Sequence, residues 1–277
     1  METMDRIKRL ADFYLELMDL EKDKPFLEFT VSFDSEQMQQ WSQGQAALAI
    51  APPEIEAAGV FTHFYSVAKA CQRWQVGPKP VTEEFLKGLE ELSQGQREEL
   101  IVSLFRVKGK NFKVPEEIKA PSGLLEFIAA NAFKPLLKKY GDMVLSQVKI
   151  SNWRKGYCPI CGDQPTLAKL TGKDGHRELY CERCEMNWHF ERLGCPYCEE
   201  EGASEASFIA IDENKQYRVY LCDKCKRYLK TVDERECGEV DLLCEDLATT
   251  ALDEIAQAEG YQRGNHKDYC FSGVITR

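Results

Sequence analysis

Eight of the twelve cysteines in this 277-residue chain stand in four C-x-x-C pairs between Cys158 and Cys225. No other feature narrows the possible folds as far, because each pair must end as a disulfide, a redox couple or half of a metal site. The pairs also repeat in order. Cys158-Pro159-x-Cys161 is followed by a polar turn at Gly172–Gly175, the run R-E-L-Y and Cys181-x-x-Cys184. Cys195-Pro196-x-Cys198 is followed by a polar turn at Asp212–Asn214, the run Y-R-V-Y-L and Cys222-x-x-Cys225. Self-similarity in a fixed order implies two structural units rather than scattered thiols.

Metal is the chemistry that suits this pattern. A tetrathiolate site needs four sulfurs about 2.3 Å from one ion. Two cysteines separated by two residues point inward from one tight turn, and a β-hairpin that joins two such turns completes the tetrahedron. Proline after the first cysteine presets φ for the turn. Gly162 takes φ > 0 after the second cysteine, where Glu185, Glu199 and Lys226 stand in the other three turns, either strained or differently turned. A disulfide inside one C-x-x-C stabilises by only about 2 kcal/mol, whereas a structural zinc site contributes ~10–16 kcal/mol. Thioredoxin-type redox chemistry requires the motif at the start of a long helix in a βαβ unit, and here the motifs abut short β-like runs. Each copy carries its own hairpin, so the pairing expected is sequential: Cys158, Cys161, Cys181 and Cys184 at one ion, Cys195, Cys198, Cys222 and Cys225 at another. Zinc and iron suit four thiolates equally.

The charge balance excludes some partners. The formal net charge is −10, which argues against a protein that coats nucleic acid or an anionic membrane. The charged N-terminal run has no apolar stretch of a signal peptide, and no segment is apolar enough for a membrane span. A cytoplasmic location follows as the expectation, and with it cysteines that do not serve as structural disulfides.

Around the cysteine region the chain reads as helical. Ile7, Leu10, Phe13, Tyr14 and Leu17 recur at helical spacing, and a second helix is expected over 54–75. Thr82 with Glu83 and Glu84 reads as an N-cap and acidic first turn, with helical patterns over 82–108 and 121–147, the latter kinked or split at Pro135. Segment 23–53 has no single pattern, and an extended stretch lying on the helices is one reading of it. Residues 237–258 read as one helix with Val240, Leu243, Leu247, Ala251, Leu252 and Ile255 on one side, followed by a polar tail. The expected architecture is therefore α+β and multi-domain. It comprises a helical domain over 1–150, metal modules of rubredoxin or zinc-ribbon type over 151–192 and 193–236, and a C-terminal helix and tail over 237–277. His189 reads as a surface or packing residue and His63 as a core-edge histidine. Cys237 and Cys244, one heptad apart, read as buried thiols on one helix face, and Cys71 and Cys270 are isolated. No nucleophile, phosphate loop or carboxylate pair points to an active site.

The run W-R-K-G-Y-C-P-I-C-G-D-Q-P, the four pairs in this order, L-G-C-P-Y-C between them and C-E-D-L-A-T-T-A-L-D-E-I-A-Q-A-E-G-Y resemble the FdhE family, the formate dehydrogenase accessory proteins. The resemblance covers residues 120–262 and, more loosely, the helical N-terminus. It implies a cytoplasmic, metal-binding, rubredoxin-like protein that is not an enzyme. Such a protein engages the catalytic subunit of formate dehydrogenase, which carries a molybdenum or tungsten pterin, before export or assembly. Its metal-ligand positions fall on the eight cysteines of the four pairs. Two other readings compete. A ribbon-type nucleic-acid-binding protein is disfavoured by the balanced charge of 154–236 and by the net −2 of each loaded tetrathiolate. An electron carrier requires the ions to be iron.

Overall fold

The computed structural model describes residues 2–20, 28–106, 114–115, 118–121, 123–198, 206–210 and 215–264. Its helices are α1 (Glu2–Leu20), α2 (Ser35–Ser42), α3 (Ala47–Ile50), α4 (Ala57–Trp74), α5 (Glu83–Glu91), α6 (Gln94–Arg106), α7 (Leu124–Leu145), α8 (Glu234–Cys237), α9 (Leu242–Ala248) and α10 (Thr250–Ala258). Its strands are β1 (Leu167–Thr171), β2 (His176–Cys181), β3 (Met186–Phe190), β4 (Ala206–Ala210), β5 (Tyr217–Cys222), β6 (Arg227–Asp233) and β7 (Gln262–Arg263). The fold is α+β. Among the described residues the chain divides into two units, one from those up to Phe29 with Glu54–Leu136, the other from Thr30–Pro53 with those from Leu137 to His266.

Helices make up the first unit because its apolar residues recur at three- and four-residue spacing. Phe13 of α1 and Phe64 and Val67 of α4 are buried, and Phe13 stacks on Phe127 with ring centroids 6.4 Å apart. Trp74 Nε1 donates to Glu16 across 2.7 Å and ties the end of α4 to α1. Helix α4 stops at Gln75, which adopts the left-handed conformation (φ 53°). Thr82 caps α5 as the sequence suggests, its hydroxyl accepting from the Phe85 amide. The pattern over 82–108 resolves into two helices, because Ser93 and Gln96 form a second cap before α6. Cys71 and His63 both lie buried on α4. Helix α7 runs unbroken through Pro135 where a kink or split is expected. Leu124, Ile128, Leu136, Leu137 and Tyr140 are buried along it, and that burial outweighs the ~3 kcal/mol a mid-helix proline costs.

The second unit is built on a sheet of order β3-β2-β1-β6-β5-β4. β1, β2 and β3 form one antiparallel meander, and β4, β5 and β6 form another. The two meanders are the duplication seen in the sequence. In both, the middle strand ends on a cysteine, and the strand register resumes across the same turn: Cys181 opposite Met186, Cys222 opposite Arg227. They join through parallel pairing of β1 with β6, from Leu167 opposite Lys230 to Leu170 opposite Asp233.

Two further segments of this unit differ from expectation. The described part of 23–53 holds α2 and α3 rather than an extended stretch, with α2 started by a reciprocal cap between Asp34 and Gln37. Residues 237–258 form α9 and α10 after the short α8, because Gly238 (φ 84°) ends α8 and Asp241 caps α9 afresh. Cys237 and Cys244 consequently sit on separate helices and are exposed, not buried on one face. The start of the expected polar tail is also structured, since Gln262 and Arg263 form β7 alongside β6. Cys270 lies outside the described residues.

Candidate metal centres

Each C-x-x-C turn, or knuckle, presents two sulfurs, and among the described residues three of the four are closed by a backbone that turns the same way. In the first, the Gly162 amide donates to the Cys158 carbonyl; in the fourth, the Lys226 amide donates to that of Cys222. The residue that closes the turn is left-handed in three knuckles, at Gly162 (φ 74°), Glu185 (φ 56°) and Lys226 (φ 53°). Glutamate and lysine therefore take the strain rather than change the turn. Glu199, in the remaining knuckle, lies outside the described residues.

The sulfurs gather in two sets of four, in the sequential arrangement rather than an interleaved one: Cys158, Cys161, Cys181 and Cys184; and Cys195, Cys198, Cys222 and Cys225. In the first set Cys158 and Cys184 are 3.4 Å apart, as are Cys161 and Cys181, with Cys161 and Cys184 at 3.8 Å. In the second, Cys195–Cys225 and Cys198–Cys222 are each 3.7 Å. A tetrahedron with ~2.3 Å metal–sulfur bonds has edges of about 3.8 Å, whereas a disulfide needs ~2.05 Å. The donor set fits a tetrahedral ion, and each cluster can hold one.

The surroundings of the two clusters differ. All four sulfurs of the first are buried, but only Cys222 of the second is. The first knuckle is gripped from its own unit. Trp41 Nε1 and the Ala47 amide both donate to the Pro159 carbonyl, and the Leu48 amide donates to that of Ile160 at 2.8 Å. Tyr157 donates its hydroxyl to the Gly44 carbonyl at 2.6 Å. Tight crowding of four buried thiols leaves them electrostatically unequal. Burial raises Cys161, but hydrogen bonds from the neighbouring sulfurs and the charge of Arg183 outweigh it and hold this thiol well below the ordinary value. Burial pushes Cys184 well above it. Without a cation the set cannot all be thiolate. In the second cluster, Cys225 is pushed up to about 11, chiefly by burial.

Several functional residues lay outside the sequence reading. Arg183, between the cysteines of the second knuckle, pairs with Asp163 at 3.3 Å and lends positive charge to the first cluster. Arg177, buried on β2, donates to the carbonyls of Glu191 and Gly194 and so fixes the linker that enters Cys195. A Cβ on Gly156 would fall inside the backbone of Pro196, so only glycine lets the run before the first knuckle lie against the third. A buried network joins Lys230 of β6 to Asp246 and Asp253, each 2.7 Å from its ammonium, and Arg263 of β7 pairs with the same two carboxylates. Glycine before C-P-x-C and the aspartate spacing in C-E-D-L-A-T-T-A-L-D were the available signals. His189 is exposed on β3, as expected of a surface residue, with Glu178 at 3.9 Å.

No helix among the described residues is long and apolar enough to cross a membrane. The family model described as "FdhE, central domain" matches residues 157–192, and "FdhE, C-terminal domain" matches 193–269. Protein FdhE from Escherichia coli K12 / DH10B is 31% identical over 122 residues, and the protein of that name from E. coli O1:K1 / APEC is 32% identical over the same length. These alignments span 43% of this chain and 39% of the relatives' own length. The crystal structure of FdhE from Pseudomonas aeruginosa shares the fold, with a TM-score of 0.59 at 21% identity, over 96% of this chain and 94% of that one. The two family matches adjoin, and each contains one complete four-cysteine cluster. Residues 157–269 are thus similar, end to end, to the central and C-terminal domains of FdhE.

Proposed function

We propose that this protein is a non-catalytic accessory factor for formate dehydrogenase maturation, acting in the cytoplasm on the catalytic subunit of that enzyme. The observation that carries the reading is the pair of complete tetrathiolate clusters, one in each matched FdhE domain. In this reading the eight cysteines each ligate one of two ions, zinc or iron. A bound ion supplies the cross-link that holds each pair of knuckles together, and iron would add one-electron redox capacity. The chain's own residues do the remaining work. Arg183 offsets the negative charge of the first centre, Arg177 sets the spacing between the modules, and the helical unit supplies additional surface for the client.

The test is capture of the tagged full chain, without oxygen, from cells making formate dehydrogenase. The catalytic subunit is expected to co-purify, and the metal content is expected to be two ions per chain. Absence of the catalytic subunit from the captured material would overturn the client assignment. Colourless protein with stoichiometric zinc would end the electron-carrier reading.

A further inference from the structure

We infer that the two centres have different roles: the first is permanent, and the second is the exchanging centre, its release rate set by the chain segment Tyr261–Gly264. This rests on the metal reading above and adds to it which ion leaves and what restrains it.

Exchange from a tetrathiolate begins when an incoming ligand reaches a sulfur or its ion. In the first centre the four cysteines are between 0% and 3% exposed, so that step requires local unfolding of the knuckles. The first of those knuckles is also held from outside, by Trp41, Ala47 and Leu48. In the second centre, Cys195, Cys198 and Cys225 are partly exposed, so a ligand approaches without unfolding of the knuckles.

What bridges the two knuckles of the second centre is the segment after α10. Gly264 lies so close to Tyr197, between Cys195 and Cys198, that a Cβ there would overlap the ring. On the other knuckle, the Gln262 amide donates to the Lys226 carbonyl at 2.8 Å, and Tyr261 donates to Asp223, between Cys222 and Cys225, at 2.7 Å. Arg263 anchors the segment through its ion pairs with Asp246 and Asp253. The segment thus behaves as a clasp across the second centre, fastened by a buried charge network. When it opens, donor atoms of the incoming ligand replace the cysteine sulfurs on the ion one by one. The freed thiolates take protons from solvent, and no electrons move.

The experiment uses the full chain loaded with two zinc ions and challenged with the chelator 4-(2-pyridylazo)resorcinol, with ion counts followed by native mass spectrometry. Release is expected in two phases of one ion each, the fast one at least about tenfold faster. Cys225→Ser should remove the fast phase and leave the slow one; Cys184→Ser should do the reverse. Arg263→Gln and the milder Tyr261→Phe should each accelerate the fast phase and leave the slow phase unchanged. Tyr261→Phe keeps the test open if the loss of Arg263 prevents folding. Release of both ions at one rate, or a fast phase that neither clasp variant alters, would overturn the inference. A wild-type chain that takes up fewer than two ions would instead overturn the metal reading, and this inference with it.

Discussion

Gly156 and Lys226 illustrate two opposite demands on single residues around the knuckles. At Gly156 the demand is space: a methyl group would meet the Pro196 backbone, which cannot move without shifting the third knuckle. Gly156→Ala is therefore expected to lower stability by about 3 kcal/mol or more, as overpacking against backbone does. Denaturant unfolding of the metal-loaded protein measures it, and a change under about 1 kcal/mol would mean that the modules part without cost. At Lys226 the demand is conformation, since its left-handed φ suits glycine. Lys226→Gly should leave the melting temperature equal or higher, while the β-branched Lys226→Val should lower it by several degrees. Gly162 was readable because glycine announces such a turn. Glu185 and Lys226 were not, because a left-handed residue costs only ~1–2 kcal/mol, which a centre worth far more readily imposes.

At the scale of elements, the C-terminal helices show where pattern reading stops. The apolar stripe through Val240, Leu243, Leu247, Ala251, Leu252 and Ile255 points to one face, yet of these only Leu252 is buried and Ile255 is 43% exposed. The buried face instead carries Leu242, Asp246, Thr249, Leu252, Asp253 and Ala256. Two aspartates turn inward because Lys230 and Arg263, from the strands before and after these helices, neutralise them there. No periodicity within the helix encodes those partners. Breaking the network by Lys230→Met should cost about 3–5 kcal/mol, the penalty of an uncompensated buried charge. Adding Asp253→Asn should recover part of it, read from the same unfolding curves.

The network also has a pH signature. Burial alone would raise the Asp246 carboxyl, but Arg263 and Lys230 overcome it and hold the group below its ordinary value of 3.8. A carboxylate depressed in the folded state contributes stability above its unfolded value, and that contribution is lost as pH falls through the folded one. Replacement by Asp246→Asn should therefore reduce the fall in stability as pH drops below about 4. An unchanged acid limb would show that this carboxylate does not carry the pH dependence.

For the whole molecule, the α+β class and the two repeated modules were legible, because knuckle spacing and β-like runs are local signals. The division of the chain was less so, since residues 30–53 belong to the cysteine-bearing unit and no local pattern assigns them there. The joining of both meanders in one sheet was also hidden, because parallel pairing of β1 with β6 spans the whole second module. Stability should be divided accordingly. Stripping metal removes a contribution on the order of 10 kcal/mol per centre, so the cysteine-bearing unit should lose cooperative unfolding while helical circular dichroism from the other unit persists. Calorimetry of loaded and chelator-treated protein checks this, and an unchanged thermogram after complete metal removal would sink it.

The β1–β6 pairing has a consequence for synthesis. From Thr171, at the end of β1, to Asp233, at the end of β6, the ribosome must add 62 residues (233 − 171). At ~5–20 residues per second, β1 waits about 3–12 s for its neighbour. During that interval the nascent first repeat, even with its own ion in place, exposes a bare strand edge that another chain can pair with. Crowded polysomes translating this message are thus where self-association would start.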